Sequence, residues 1–400
     1  MPSVIWNNKA SVVVVTLFVV LILYNTTYYH ENNFNHRSTT KVDHNLPLRP
    51  LNSTNFVMYP KHKIDEIFLL VLVSSSPHDE LHAKKRSAIR NTWANCSYLH
   101  QHMNLMYMYK NIPKSVQCKL VFFIGLSGKR SFELLQKEAN EYNDLLILNH
   151  MDTYATITTK LFSAFEWASH QRPKFILKTD DDVYIHVPKL ITNILMTTNV
   201  ENFYGGVTYA GSVPRDPSHR HYISKEQYYS NRFPVFCKGA FYVFSGNLLP
   251  SLLASSYKVT RFGVDDAYVG VLMHHLGVQP VHLGEFVALE FKVFLQAICD
   301  CSLVKLIGIG DGLTGEEIRR LHKRVMFLQR NFLSHGCLHL SILGVILLGI
   351  LFLLVNLFVC VLSKHKPSSW IQDFRGRGES PSFLPLLWGT TRNLYRIEKS

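Results

Sequence analysis

Apolar and polar positions follow two different periods along this chain. Residues 64–73, 120–125 and 144–148 are short, nearly continuous apolar runs, the pattern of strands buried on both faces. Residues 132–142 and 158–170 instead space their apolar side chains three and four apart, which predicts amphipathic helices. A further apolar run, 175–185, carries three consecutive carboxylates, Asp180, Asp181 and Asp182, where it ends. Beyond it the pattern predicts a helix over 188–198, a strand from Tyr204, an aromatic strand within 233–245, and a helix to about Leu276 opened by Asp265 and Asp266. Strands alternating with helices at this pace predict an α/β fold around a mostly parallel central sheet.

The two ends of the chain depart from both periods. Residues 10–24 are a Val/Leu/Ile-rich run followed by no small-residue cleavage site, and they read as an uncleaved signal-anchor helix behind a cytoplasmic 1–9. Residues 25–60, rich in Asn, His and Thr, read as a stalk, and the folded domain is expected over 61–335. Residues 338–362 contain no Asp, Glu, Lys or Arg and predict a second membrane-spanning helix, with a basic tail at 363–400. Positive-inside counting does not orient that span cleanly, because 319–330 is also basic.

Composition narrows the function. A 47% hydrophobic content is enough for a packed core, and a net charge of +13 invites nucleic acid as a partner. The basic residues are scattered, however, and no nucleic-acid motif accompanies them, so no nucleic acid is expected; a membrane enzyme handling anionic nucleotides fits the charge better. The seven cysteines show no Cys-x-x-Cys spacing, which excludes the usual structural zinc sites. Asn25, Asn52 and Asn95 open glycosylation sequons that matter only in a secretory lumen.

Candidate chemistry gathers at the carboxylates. Ligands of open α/β sheets bind beyond the carboxyl ends of the strands, where Asp180 to Asp182 are expected. Three adjacent like charges need a compensating cation, and an all-oxygen set suits Mg²⁺ or Mn²⁺ bridging to a diphosphate. Arg86 and Arg90 share a helical face at i,i+4 and have the fork geometry that binds phosphate, although a solvated basic helix has the same spacing. Asp265 and Asp266 would serve equally as first-turn helix carboxylates or as catalytic groups. A two-metal phosphohydrolase would need clustered His and Asp ligands, and apart from His282 none is evident.

Five motifs occur in order: Arg86-x-x-Ile-Arg-x-Thr-Trp93; Phe123-Ile-Gly125; Glu141-Tyr-Asn-Asp144 with Asp152-x-Tyr154 and Lys160; Lys178-x-Asp-Asp-Asp182; and Phe233-Pro with Cys237, Gly239 and Tyr242, then Asp265-Asp-x-Tyr-Val-Gly270. Over residues 64–290 this series resembles the β1,3-glycosyltransferase family, glycosyltransferase family 31, which includes β1,3-galactosyltransferases and β1,3-N-acetylglucosaminyltransferases, with the Fringe enzymes more distant. The resemblance implies a GT-A-type fold, a type II Golgi membrane protein with a luminal catalytic domain, a UDP-sugar donor, Mn²⁺ as cofactor, and a glycan acceptor on glycoprotein or glycolipid. It also implies inversion, galactose as the first choice of sugar and N-acetylglucosamine or N-acetylgalactosamine as alternatives.

Carried over residue by residue, Asp180 and Asp181 would hold the uridine and ribose end of the donor, with Arg86, Arg90 and Lys178 beside it. Asp182 would be the main metal ligand, with Asp180 and His282 as further ligands. Asp266 would be the catalytic base, with Asp265 at its side. Thr156, Phe241, Ala267 and Leu272 stand where the family commonly has Asn, Gly, Val and Cys. The missing cysteine at Leu272 leaves Cys237 to pair with Cys299 or Cys301, and Phe241 is expected to reshape the acceptor pocket. A catalytically silent relative, acting as a secretory chaperone or scaffold, would be expected to have lost carboxylates that are all present here.

Overall fold

The computed structural model describes residues 42–43, 46–47, 50–61, 66–77, 80–95, 116–195, 201–288 and 300–331, with four further positions between 349 and 354. The chain divides into two units, 1–331 and 332–400. Both expected membrane segments, 10–24 and 338–362, fall almost wholly outside the described residues, among which no helix is long and apolar enough to cross a membrane.

An eight-stranded sheet runs through the first unit. Its strands are β1 (Phe56–Met58), β2 (Leu69–Ser74), β3 (Cys118–Leu126), β4 (Leu145–Met151), β5 (Phe175–Asp180), β7 (Tyr204–Tyr209), β8 (Phe236–Ser245) and β9 (Val281–His282), in spatial order β1-β4-β3-β2-β5-β8-β7-β9. Helices α1 (Glu80–Arg90), α2 (Lys129–Tyr142) and α3 (Ile157–Gln171) connect the parallel strands. Both faces of the sheet are buried. Leu69, Val71 and Val73 of β2 enter one core and Leu70 and Leu72 the other, so period-two alternation is invisible in a run that is apolar throughout.

The mostly parallel sheet expected from the sequence is in fact mixed. Strands β2 to β5 are parallel, but β8 runs antiparallel to both β5 and β7, and β1 antiparallel to β4. The reason lies in the connection: a helix-free loop, not a crossover helix, joins β7 to β8, and such a connection returns the chain antiparallel. The predicted helix over 188–198 reduces to α4 (Val187–Leu190) and a π turn at Ile191–Leu195, with 196–200 outside the described residues.

A second, three-stranded sheet was not foreseen. It joins β6 (Tyr184–Ile185) to β11 (Gly308–Gly310), and β11 to β10 (Phe286–Ala288). Strands this short carry no readable period. Among the described residues of the first unit, further helices are α5 (Leu249–Ser256), α6 (Asp265–His275), α7 (Asp300–Lys305) and α8 (Gly315–Asn331).

The stalk boundary also needs correction. Asn52 caps a 3-10 turn at Ser53–Asn55, and Phe56–Met58 then pairs with β4. Farther back, the Asp43 backbone N–H donates to Ser251 Oγ at 3.2 Å. The folded domain therefore begins before residue 61, because β4 would otherwise be an open sheet edge.

Candidate active site

Strand β5 sorts the carboxylates by face. Lys178 and Asp180 lie two residues apart, so both side chains leave the same face, and Lys178 Nζ donates to Asp180 Oδ1 at 2.9 Å. Asp181 turns the other way and is buried. It accepts from Ser75 Oγ (2.7 Å), contacts His82 Nδ1 (2.6 Å) and accepts from Lys85 Nζ (3.3 Å). Asp182 keeps about a quarter of its side chain exposed, 3.7 Å from Lys85 Nζ. Its carbonyl accepts from Leu313 N–H, so the segment that follows β11 holds the turn.

The antiparallel pairing of β5 with β8 brings the other acidic cluster alongside. Lys178 Nζ also donates to the Gly239 carbonyl at 2.7 Å and stands 3.7 Å from Asp265 Oδ2. Gly239 N–H in turn donates to Asp266 Oδ2 at 2.8 Å, while Asp266 Oδ1 accepts from Ala267 N–H at 2.7 Å. Helix α6 can approach β8 this closely because Gly270 has no Cβ; one built there would run into the Phe236 side chain. Asp266 thus occupies the first helical turn, as its position suggests, and is also held by the sheet.

Charge at this junction is unevenly compensated. Burial and the neighbouring Asp265 push the Asp266 carboxyl up to about 6, against the Gly239 N–H and Lys178. Asp180 opens on the cavity yet is closely surrounded by protein. That enclosure, with the charges of Asp182 and Asp265, outweighs Lys178 and brings Asp180 to about 6 as well. Asp182 is raised by burial and by Asp181 and Asp311. Asp181 alone is lowered: burial opposes its charge, but His82, Lys85 and Ser75 prevail. Lys178 is held protonated against its own burial by Asp180 and Asp265.

Lys178, Asp180, Asp265, Asp266 and Asp311 form the floor of a cavity of about 570 Å³, which neither Asp181 nor Asp182 lines. Tyr209, Phe233, Phe236 and Phe286 supply aromatic wall. Further wall comes from Tyr154 and from His219, Arg220 and His221 on the loop between β7 and β8. Arg215 fixes that loop from within, donating to the carbonyls of Ile223 (2.7 Å), Tyr228 (2.6 Å) and Ser230 (2.6 Å). Ser212 and Pro214 of the same loop also reach the cavity.

Residues 84–284 match the family model described as Galactosyltransferase. The chain belongs to the galactosyltransferase family. Similar curated proteins include the lactosylceramide 1,3-N-acetyl-beta-D-glucosaminyltransferase of Homo sapiens, 30% identical over 55% of this chain and 57% of that protein. Beta-1,3-galactosyltransferase 2 of Mus musculus is 30% identical over 56% of this chain and 52% of its own length. Beta-1,3-galactosyltransferase 1 of Mus musculus is 25% identical over 60% and 72%. The chain thus spans between half and three quarters of these relatives. Among solved structures, the WbbM bifunctional glycosyltransferase aligns at a TM-score of 0.35 with 10% identity, over 68% of this chain and 54% of that one.

Several residues expected at the site of this galactosyltransferase-family protein lie elsewhere. Arg86 directs Nε and Nη2 to Glu138 (2.9 and 2.7 Å) and Nη1 to Ser75 Oγ and the Ser76 carbonyl (both 3.0 Å). Arg90 binds Asp144 through Nε (2.7 Å) and Nη2 (2.9 Å), and Glu138 through Nη2 (2.7 Å). They share a helical face as read, but it faces carboxylates of the protein, and neither guanidinium lines the cavity. Asp181 is likewise enclosed by protein partners. The face of α1 that meets the carboxylates carries His82 and Lys85, three apart; that spacing was available in the sequence, but the Arg pair drew the phosphate reading.

His282 sits on β9 beside β7, with Nδ1 accepting from Thr208 N–H at 3.2 Å, and does not line the cavity. Among the described residues, no three of His, Cys, Asp and Glu converge as a ligand set. Cys237 is free and buried, which corrects its expected pairing with Cys299 or Cys301. Burial pushes its thiol up to about 12, and its N–H donates to Tyr204 Oη. Phe241 does not reach the cavity; it stacks at 4.7 Å beneath Phe286, which does.

Proposed function

We propose that this protein is an inverting β1,3-glycosyltransferase that moves a hexose from a UDP-sugar to the 3-hydroxyl of a glycan on glycoprotein or glycolipid. Galactose is the favoured sugar and N-acetylglucosamine the alternative; relatives with each specificity are about equally similar. The reading extends to a GT-A-type fold and to a Golgi membrane protein with a luminal catalytic domain. The observation that carries it is Asp266, a half-buried carboxylate fixed by two backbone N–H groups, its proton affinity raised, on the same cavity as Asp180.

A sugar hydroxyl is a weak nucleophile, and a carboxylate titrating near 6 can accept its proton while remaining ionised at neutral pH. Asp265 raises that basicity by its charge, and Lys178 limits the rise and ties Asp265 to Asp180. The aromatic wall offers flat faces to sugar rings.

A divalent cation is part of this proposal, at Asp180 and the turn just after it that carries Asp182. Asp180, Asp182 and Asp311 leave negative charge in excess, and Mg²⁺ or Mn²⁺ is commonly held by one or two carboxylates with substrate phosphates completing its sphere. Asp182 would be its principal ligand with Asp180 assisting, whereas His282 and its Thr208 contact give no support to a third. When bound, the ion would neutralise charge developing on the departing diphosphate.

The test pairs two variants. Asp182→Asn is expected to weaken metal-dependent UDP binding by calorimetry. Asp266→Asn is expected to retain UDP binding and lower transfer by about 10²- to 10⁴-fold. Near-normal transfer by Asp266→Asn would remove it as the base.

A further inference from the structure

The loop wall of the cavity carries positive charge that the acidic floor leaves uncompensated. Arg220 and Lys238 both line the cavity, and neither is in an ion pair with a carboxylate among the described residues. Each instead lies over a tyrosine of the same cavity. The Arg220 guanidinium is 4.7 Å from the Tyr154 ring centre, and Lys238 Nζ is 5.4 Å from that of Tyr209. A ring face holds a cation in position without cancelling its charge.

Both cations are also placed in advance of any ligand. Arg220 adjoins His221, whose Nδ1 is hydrogen-bonded to Tyr154 Oη, in the loop that Arg215 fixes. Lys238 is on β8, immediately before the Gly239 N–H that holds Asp266. Lys238 and Asp266 line the same cavity, so an anion drawn to Lys238 would share it with the candidate base, while on the floor it would meet Asp180, Asp265 and Asp311. Two anions must be considered. In the proposed transferase the donor diphosphate would be held with a divalent ion at Asp180 and Asp182, which leaves the loop-side cations for the other substrate.

We propose that the acceptor is an acidic glycan, bearing a carboxylate or sulfate on or next to the attacked sugar, and that Arg220 and Lys238 receive that group. This deepens the transferase reading and rests on it. It makes the two residues determinants of acceptor choice, with the proton chemistry left to Asp266.

The experiment uses the detergent-solubilised full chain, UDP-galactose or UDP-N-acetylglucosamine with Mn²⁺, and matched acceptors. The pairs are benzyl β-galactoside with its 6-sulfate, benzyl N-acetyl-β-glucosaminide with its 6-sulfate, and benzyl β-glucoside with benzyl β-glucuronide. At least one acidic member should exceed its neutral partner in kcat/KM by about tenfold, the size of one charge-assisted hydrogen bond at a part-exposed site. Preference confined to sulfates, or to the glucuronide, names the anion. Arg220→Gln combined with Lys238→Gln should bring that ratio close to one, and added NaCl should narrow it in the unsubstituted protein. Equal or better use of the neutral partner in every pair overturns the proposal. So does a rise in donor KM with acidic and neutral acceptors alike, which would assign the cations to the diphosphate. Absence of both transfer and UDP release with every pair would instead overturn the transferase reading, and the acceptor proposal with it.

Discussion

Two residues four apart on one helix, Arg86 and Arg90, show how a charged side chain takes its role from what faces it. Both look like phosphate ligands in the sequence, and both are buried against Glu138, with Asp144 completing the set around Arg90. Glu138 is held below the usual carboxylate range: its burial opposes ionisation, but the two guanidiniums outweigh it. A depressed folded-state value means the contribution to stability is present above the unfolded-state pKa of about 4.3 and lost as pH falls through the folded one. Glu138→Ala should therefore destabilise the fold at neutral pH by about 3 kcal/mol, because buried Arg86 loses its carboxylate partner and Arg90 one of its two. Chemical denaturation should show this deficit shrinking as the pH is taken below about 4.

Asp266 behaves in the opposite sense. With its folded pKa raised to about 6, it is the protonated form that the fold favours, and the ionised base is present only above that value. For a base the acid limb of the kcat/KM profile should bend near pH 6 and fall about tenfold per unit below it. Asp265→Asn removes the like charge that contributes to the rise, so the bend should move to lower pH. A bend that stays in place would assign the limb to another group, Asp180 being the first candidate.

Among the elements, the contact between α6 and β8 decides whether the two acidic clusters meet. The approach depends on Gly270, where a Cβ would overlap the Phe236 side chain, and on the Gly239 N–H that reaches Asp266. Gly270→Ala should cost about 1–3 kcal/mol by overpacking, measured as a lower Tm, and should reduce kcat because it displaces the start of the helix from the strand. The apolar runs and the helix over 157–171 were legible because a buried strand and an amphipathic helix impose their periods locally. The direction of β8 was not. Strand polarity is fixed by the connecting loop and the neighbours it reaches, and the residues of β8 itself do not encode it. The second sheet was missed for a different reason, since two- and three-residue strands are too short to show a period.

At the scale of the whole molecule, the segment before residue 61 belongs to the domain. Phe56–Met58 covers the edge of β4, and Asp43 reaches Ser251 on α5. A chain restricted to 61–331 should be less stable than one restricted to 42–331, with a lower Tm and a tendency to associate through the uncovered edge, both measurable by thermal melting with light scattering. The membrane segments read at 10–24 and 338–362 are compositional inferences, and the described residues neither carry nor oppose them.

The sequence by itself determined the family and the chemical inventory. Five motifs in order identify the chain, and Asp180, Asp182, Asp265 and Asp266 were named without coordinates. These follow from residue identity, which the chain carries directly. Only the tertiary structure decided which charges are compensated. It enclosed Asp181 among Ser75, His82 and Lys85, and paired Arg86 and Arg90 with Glu138. It drew Lys178 between the two acidic clusters, and left Arg220 and Lys238 facing the cavity over tyrosine rings. The physical reason is that proton affinity and ion pairing depend on distances of a few ångströms between groups far apart in the chain, and those distances exist only once the sheet has closed.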